Sequence, residues 1–279
     1  MSYISTEKID ADVLIHGPCE PLWMINPTQF DTLIGMNSYN LALSHSDFGD
    51  NFIHLYQYLK FQKPPKYMLL YVTPESMDNK YNQFNTYRFG NFLADTLIAN
   101  VVKDFDKTYF NASFMPLLRH TYYSNFVNFE TLQGAKHWLT NRRLPFNVNG
   151  YELPVVQAWH DEFDDFIDFY GENTVFEWDK RQEKYLQLLV KLAQQKGVKV
   201  ILYESPVYAK AIPLQENRAE MMAKIELLAA TLDVDFWVFD DLEMSKEQSN
   251  FFSTLNTTIK GSEIFTDTLG KHFEVYLKK

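Results

Sequence analysis

The chain has 279 residues, 26 of them basic and 36 acidic, for a net charge of −10, and 46% of it is hydrophobic and 16% aromatic. Such a composition supplies a packed core and excludes disorder, while the acidic balance repels phosphate backbones and excludes nucleic acid as a partner. A lone cysteine rules out an intramolecular disulfide and any Cys-rich zinc site.

In chain order, Val13-Leu14-Ile15 is an apolar run that breaks at His16-Gly17-Pro18, the pattern of a buried strand entering a turn. A short segment from Pro27 to Leu33 leads to a second strand, Ser38 to Leu43. Phe48, Phe52, Leu55, Tyr56 and Leu59 then fall at helical spacing behind Asp47 as N-cap, and Pro64-Pro65 stops the helix. Tyr67 to Val72 is a third strand. The alternation returns with a helix from about Phe176 to Gln195, Gly197 as its C-cap, a strand from Val198 to Tyr203, a helix from about Glu216 to Leu232, a strand from Phe236 to Phe239 and a closing helix from Ile259 to Leu277.

Strands alternating with helices imply right-handed parallel crossovers, and continuous apolar strands imply a sheet covered on both faces. The expected architecture is therefore α/β: a three-layer, doubly wound fold on a five-stranded, mainly parallel sheet. The segment 77–171 breaks the pattern with aromatic and Asn-rich sequence. It follows the third strand, so it emerges at the carboxyl edge of the sheet, where open α/β folds place their sites. The expected organisation is one domain, 1–279, with 77–171 inserted as a cap. No repeat or low-complexity tract occurs.

The N-terminus lacks the charged and apolar regions of a signal peptide, and no run of about 18 apolar residues occurs. As written, the chain reads as soluble without a membrane span, and cytoplasmic by default.

Several segments resemble blocks of the SGNH (GDSL-like) hydrolase superfamily, in the order that family uses. Asp12-Val-Leu-Ile-His-Gly-Pro-Cys-Glu-Pro-Leu-Trp-Met-Ile-Asn-Pro27 is similar to the first block, in which a strand runs through Gly-x-Ser into a helix. The likeness is nearest to the envelope proteins that accompany bacterial polysaccharide acylation, and this resemblance implies an envelope-associated location against the cytoplasmic default, leaving the compartment open. Tyr39-Asn-Leu-Ala-Leu-Ser44 is similar to the second block, Pro64 to Pro74 to the third strand, Lys199 to Tyr208 to the fourth, and Phe251 to Gly261 to the last block. The likeness covers 12–75 and 177–275 and leaves the insertion unmatched.

At the positions that carry the family's chemistry, this sequence departs from it. Cys19 stands at the nucleophile position, Ser253 where the family has Asp, Asn256 where it has His, and Ala42 where a glycine N–H helps form the oxyanion hole. The third block offers Thr73, Glu75 and Ser76 in place of an Asn, and Ala42, Ser44, Thr73 and Glu75 make up the candidate oxyanion and cleft positions. Asn256 cannot act as a base near neutral pH, and in serine enzymes loss of triad members costs about 10⁴ to 10⁶ in turnover. A thiol partly escapes this argument, because a helix N-terminus lowers its pKa below about 8.5. His45 is the candidate base for Cys19, and His16 a second; the competing reading of each is a turn or core histidine, and of Cys19 a small apolar filler.

Two readings stand. One is a non-catalytic SGNH-like domain that binds or scaffolds in surface glycan acylation, with a carbohydrate or acyl-glycan ligand and a protein partner in the cell envelope. The other is a cysteine-dependent esterase or O-acyltransferase acting on acylated carbohydrate. Neither calls for a cofactor or a metal. His160-Asp161-Glu162-Phe163-Asp164-Asp165 has ligand-type residues without metal spacing, and Arg142-Arg143 with Lys136 and His137 reads as a solvated basic patch.

Overall fold

The computed structural model describes residues 8–80, 83–114, 147–152, 167, 171 and 173–278. Its contacts divide the chain into a unit of 1–82 with 147–279 and a second unit of 83–146.

The larger unit begins with β1 (Val13–His16), whose four residues are all buried, and turns through Gly17 into the short helix α1 (Cys19–Met24). Helix α2 (Pro27–Ile34) starts with proline in its first turn and the Asn26 side chain accepting from the Thr28 N–H, and ends at Gly35 in the left-handed conformation. Strand β2 (Ser38–Asn40) is shorter than the expected Ser38–Leu43, although Leu41 and Leu43 still donate to the Ile15 and Gly17 carbonyls, while the Asn40 side chain accepts from the Ala42 N–H. Asp47 caps α3 (Phe48–Phe61) in a capping box with Asp50, and β3 (Tyr67–Tyr71) follows.

Within the 83–146 unit, α4 (Thr96–Phe105) and α5 (Lys107–Ala112) are capped by Asp95 and Asp106. Phe84 stacks on Phe105 at 4.4 Å and tilts against Phe89, so aromatic packing organises the described part of this unit.

Back in the larger unit, β4 (Asn147–Val148) and β5 (Tyr151–Glu152) form a hairpin through Asn149 and Gly150, both at positive φ. Helix α6 (Lys180–Gln195) is capped by Asp179, three residues after the expected start at Phe176, and leads to β6 (Lys199–Glu204). Helix α7 (Arg218–Thr231), β7 (Asp235–Val238) and α8 (Ile259–Leu277) complete the unit.

All pairings in the main sheet are parallel, in the order β2-β1-β3-β6-β7. This is the doubly wound arrangement read from the sequence, with the reversal of winding between β1 and β3. Alternate residues of each strand serve opposite layers. Val13, Ile15, Leu69, Tyr71, Ile201 and Tyr203 join Phe30, Phe265 and Phe273 of α2 and α8 in one apolar cluster. On the other face α3 packs on α6, with Phe52 against Tyr185.

The segments His160 to Asp165 and Lys136 to Arg143, with most of the 77–171 insertion, lie outside the described residues. Among the described residues, no helix is long and apolar enough to cross a membrane.

Gly17 fixes how closely the first turn approaches the sheet. Its φ is 149°, and a β-carbon there would lie 2.8 Å from Cβ of Tyr71. Gly17→Ala is expected to lower stability by about 2 kcal/mol through overpacking and backbone strain, read from the urea unfolding midpoint.

Candidate functional site

A crevice at the carboxyl ends of β1 and β3, where the winding reverses, is where a doubly wound fold places its chemistry. The turn Gly17–Cys19 and the segment Thr73–Ser76 leave the sheet there. The loop before α8 belongs to the same edge: Trp23 of α1 meets Phe252 edge-on at 6.0 Å, and the Tyr208 N–H after β6 donates to the Thr254 carbonyl at 3.1 Å.

Cys19 is the first residue of α1, behind Pro18, which offers no side-chain cap. The dipole expected to favour a thiolate is outweighed: burial pushes the thiol well above its usual range, and the neighbouring Glu20 carboxyl adds to this. Opposing both, the His45 backbone N–H donates to the sulfur. His45 holds a left-handed backbone, φ 49°, and its Nδ1 lies 2.8 Å from the Ser44 hydroxyl. The contact by which His45 influences the thiol thus comes from its main chain.

The other positions singled out in the sequence are turned inward on themselves. The Ala42 N–H is taken by the Asn40 side-chain oxygen at 3.1 Å, and Asn40 donates in turn to the Pro21 carbonyl at 2.7 Å, tying β2 to α1. Thr73 and Ser76 close a reciprocal turn: the Thr73 N–H donates to the Ser76 hydroxyl at 2.9 Å and the Ser76 N–H to the Thr73 hydroxyl at 3.2 Å. Ser253 and Asn256 sit in the loop closed by the Phe251–Thr257 bridge, where both the N–H and the side-chain amide of Asn256 donate to the Ser253 hydroxyl, at 3.1 and 2.9 Å.

Glu75 leads to a group that sequence reasoning missed. One of its oxygens accepts from Gln215 at 2.7 Å, Gln215 accepts from Arg218 at 2.9 Å, and Arg218 donates to Glu204 at 2.6 Å and to Asp240 at 3.3 Å. Glu20, Glu75 and Glu204 are all at most 4% exposed. Burial pushes Glu20 up to about 7, with the charge of Glu75 adding to it, and pushes Glu204 up to about 8 against the downward pull of Arg218. The second oxygen of each of the three carboxyls has no hydrogen-bond partner. The signal for Glu204 was a charged residue ending an otherwise apolar strand; Glu20 and Arg218 had no comparable signal, because their meaning depends on partners far away in sequence.

His16, the second histidine candidate, ends β1 fully buried, with Nε2 2.9 Å from the Asn51 carbonyl, and burial lowers its pKa to about 4. It is a neutral core histidine near neutral pH. Among the described residues, no group of three or more His, Cys, Asp or Glu side chains is arranged to hold a metal ion.

No family profile and no curated protein matches the sequence. Among solved structures, the chain is similar to a lipase/acylhydrolase from Enterococcus faecalis, with 8% identity, a TM-score of 0.44 and coverage of 96% of this chain and 97% of that one. It is also similar to a provisionally assigned acylhydrolase from Bacteroides fragilis NCTC 9343, with 10% identity, a TM-score of 0.44 and coverage of 98% and 95%.

Two outcomes are expected from these environments. Arg218→Met leaves Glu204 buried without its counter-charge and should cost about 3 to 5 kcal/mol in urea unfolding, most of it restored by adding Glu204→Gln. For His16 the folded pKa lies below the unfolded value of 6.5, so its contribution is complete above 6.5 and is lost as pH falls toward 4. The stability of the chain relative to His16→Gln should therefore shrink by on the order of 3 kcal/mol over that window, measured by urea unfolding at each pH.

Proposed function

We propose that the chain is an SGNH-hydrolase-like domain without hydrolase chemistry at the family's triad positions, retained for binding or scaffolding. One observation carries this reading: where the resemblance places Asp and His, Ser253 and Asn256 hydrogen-bond to each other in a closed loop and supply no base. An acyl-transfer site needs a nucleophile, a base and free donors for the oxyanion. Cys19 is half-buried and its surroundings disfavour the thiolate, and the Ala42 N–H, in place of the family's glycine donor, is already engaged by Asn40. The reading takes residues 1–279 as one such domain interrupted by the 77–171 insertion. By resemblance, its ligand is an acylated carbohydrate and its setting bacterial surface glycan acylation.

A second reading is favoured by a different observation. Cys19 opens a helix and receives the His45 N–H at its sulfur, so a cysteine-dependent esterase or O-acyltransferase would draw on Cys19, with His45 as its base. The two readings separate on the thiol. Under the first, iodoacetamide labels Cys19 slowly at pH 7, labelling accelerates when urea unfolds the chain, and hydrolysis of an activated acetyl ester by the native chain equals that of Cys19→Ala. Rapid native labelling together with ester turnover that disappears in Cys19→Ala would overturn the first reading in favour of the second.

A further inference from the structure

His45 meets the Cys19 sulfur through its main-chain N–H, and its side chain meets a different nucleophile. Nδ1 lies 2.8 Å from the hydroxyl of Ser44. That separation is inside the range of about 2.6 to 3.2 Å that a general base needs to take a proton. With the ring proton on Nε2, Nδ1 is the acceptor and the Ser44 O–H the donor, the polarity that a serine nucleophile requires. His45 is exposed and Ser44 half-buried, so an incoming molecule can reach the pair from solvent.

The short loop that carries the pair is fixed on both sides. Before it, the Leu41 and Leu43 N–H groups donate to the Ile15 and Gly17 carbonyls at 2.7 and 3.0 Å, which carries the chain alongside the end of β1 to the carboxyl edge of the sheet. After it, the Ser46 hydroxyl donates back to the Leu43 carbonyl at 2.6 Å, and the Asp47 capping box starts α3. Between these anchors His45 is held at φ 49°, a conformation that costs a non-glycine residue free energy and that collects at functional sites when the surroundings impose it. Among the described non-glycine residues, the other two at positive φ are Asn149, in a two-residue hairpin turn, and Asp233, in the turn after α7. A hydroxyl and an imidazole on an anchored loop beside the reversal of winding stand where a doubly wound fold presents its reacting groups.

We propose that Ser44 and His45 form a nucleophile–base pair that cleaves small carboxylic esters, a catalytic site separate from the family's triad positions. In the first half-reaction Ser44 Oγ bonds to the ester carbonyl carbon while its proton passes to Nδ1 of His45. The bond from that carbon to the alkoxy oxygen then breaks, and the alcohol leaves with the proton. Water attacks the acyl-serine by the same route, its proton passing through Nδ1 to Ser44 Oγ as the carboxylic acid is released. The pair is compatible with a binding or scaffolding role, which concerns only the triad positions, and it competes with a Cys19 mechanism for the same imidazole.

A fluorophosphonate, which bonds to an activated serine and releases fluoride, tests the pair in the full chain. Peptide mapping should place the phosphonyl group on Ser44, and Ser44→Ala should abolish the adduct. His45→Asn removes the base and keeps the loop, because asparagine accepts a left-handed backbone; it should slow formation of the adduct about a hundredfold. Hydrolysis of p-nitrophenyl acetate should fall in both variants. Absence of an adduct, an adduct on Cys19 or another residue instead, or an equal rate in His45→Asn would overturn the pair and leave the 2.8 Å contact as a turn bond. If either variant does not fold, the mapped position of the adduct in the native chain decides. The result is read at Ser44, so its failure is distinguishable from the iodoacetamide result at Cys19.

Discussion

A parallel sheet covered by helices on both faces has apolar strands from end to end, and polar side chains can collect only where the strands stop. In this chain they collect at the carboxyl ends of β1, β3 and β6, where among the described residues the buried carboxyls outnumber the one guanidinium paired with them. Much of the local structure follows from this imbalance. Gln215 is held as a relay between Glu75 and Arg218, the N-terminus of α7 is anchored through Arg218 to the end of β6, and the Cys19 thiol is surrounded by groups that disfavour its charge. Removing one partner of a buried ion pair is far more costly than removing the pair, so Glu204 and Arg218 are retained or lost together.

The positions at which the resemblance places catalytic groups have a shared property. Each has found a local partner: Ala42 with Asn40, Thr73 with Ser76, Asn256 with Ser253. Preorganised catalytic donors are useful because they point at space that a reacting atom will occupy. Donors satisfied by their own neighbours stabilise turns instead. Under the proposed function, these contacts hold loops together at the edge of the sheet.

The sheet and its helices were legible in the sequence because periodicity and punctuation agree. Ile259 to Leu277 was bounded correctly, and the ends of the α3 helix are set by Asp47 on one side and the approach to Pro64-Pro65 on the other. Boundaries are less legible where a side chain sets the end of an element, as at Asp179, which caps a helix that hydrophobic spacing alone starts too far back. Apolar spacing over Pro27 to Leu33 suggests only a connection, although Asn26, Pro27 and Gly35 mark both ends of a helix. The site was less legible. Cys19, Glu75 and the last-block residues stand in recognisable sequence contexts, whereas Glu20, Glu204, Gln215 and Arg218 acquire their role only from the three-dimensional arrangement. A helix start is expected to lower the thiol pKa, whereas burial and the Glu20 carboxyl raise it.

The hairpin Asn147–Glu152 has an effect on the molecule's margin. β2 ends the sheet on one side, and an edge strand offers unpaired main-chain groups on which another chain can grow. The Asn149 carbonyl takes the Asn40 N–H at 2.8 Å, the Gly150 backbone lies so close to Asn40 that no side chain fits between them, and the Tyr151 hydroxyl reaches Ser262 of α8 at 2.9 Å. The hairpin is therefore stapled across the end of β2 and blunts that margin against strand addition. At the opposite margin β7 is four residues long, too short to template an extended ladder, so intermolecular sheet growth is discouraged on one side by a clasp and on the other by brevity.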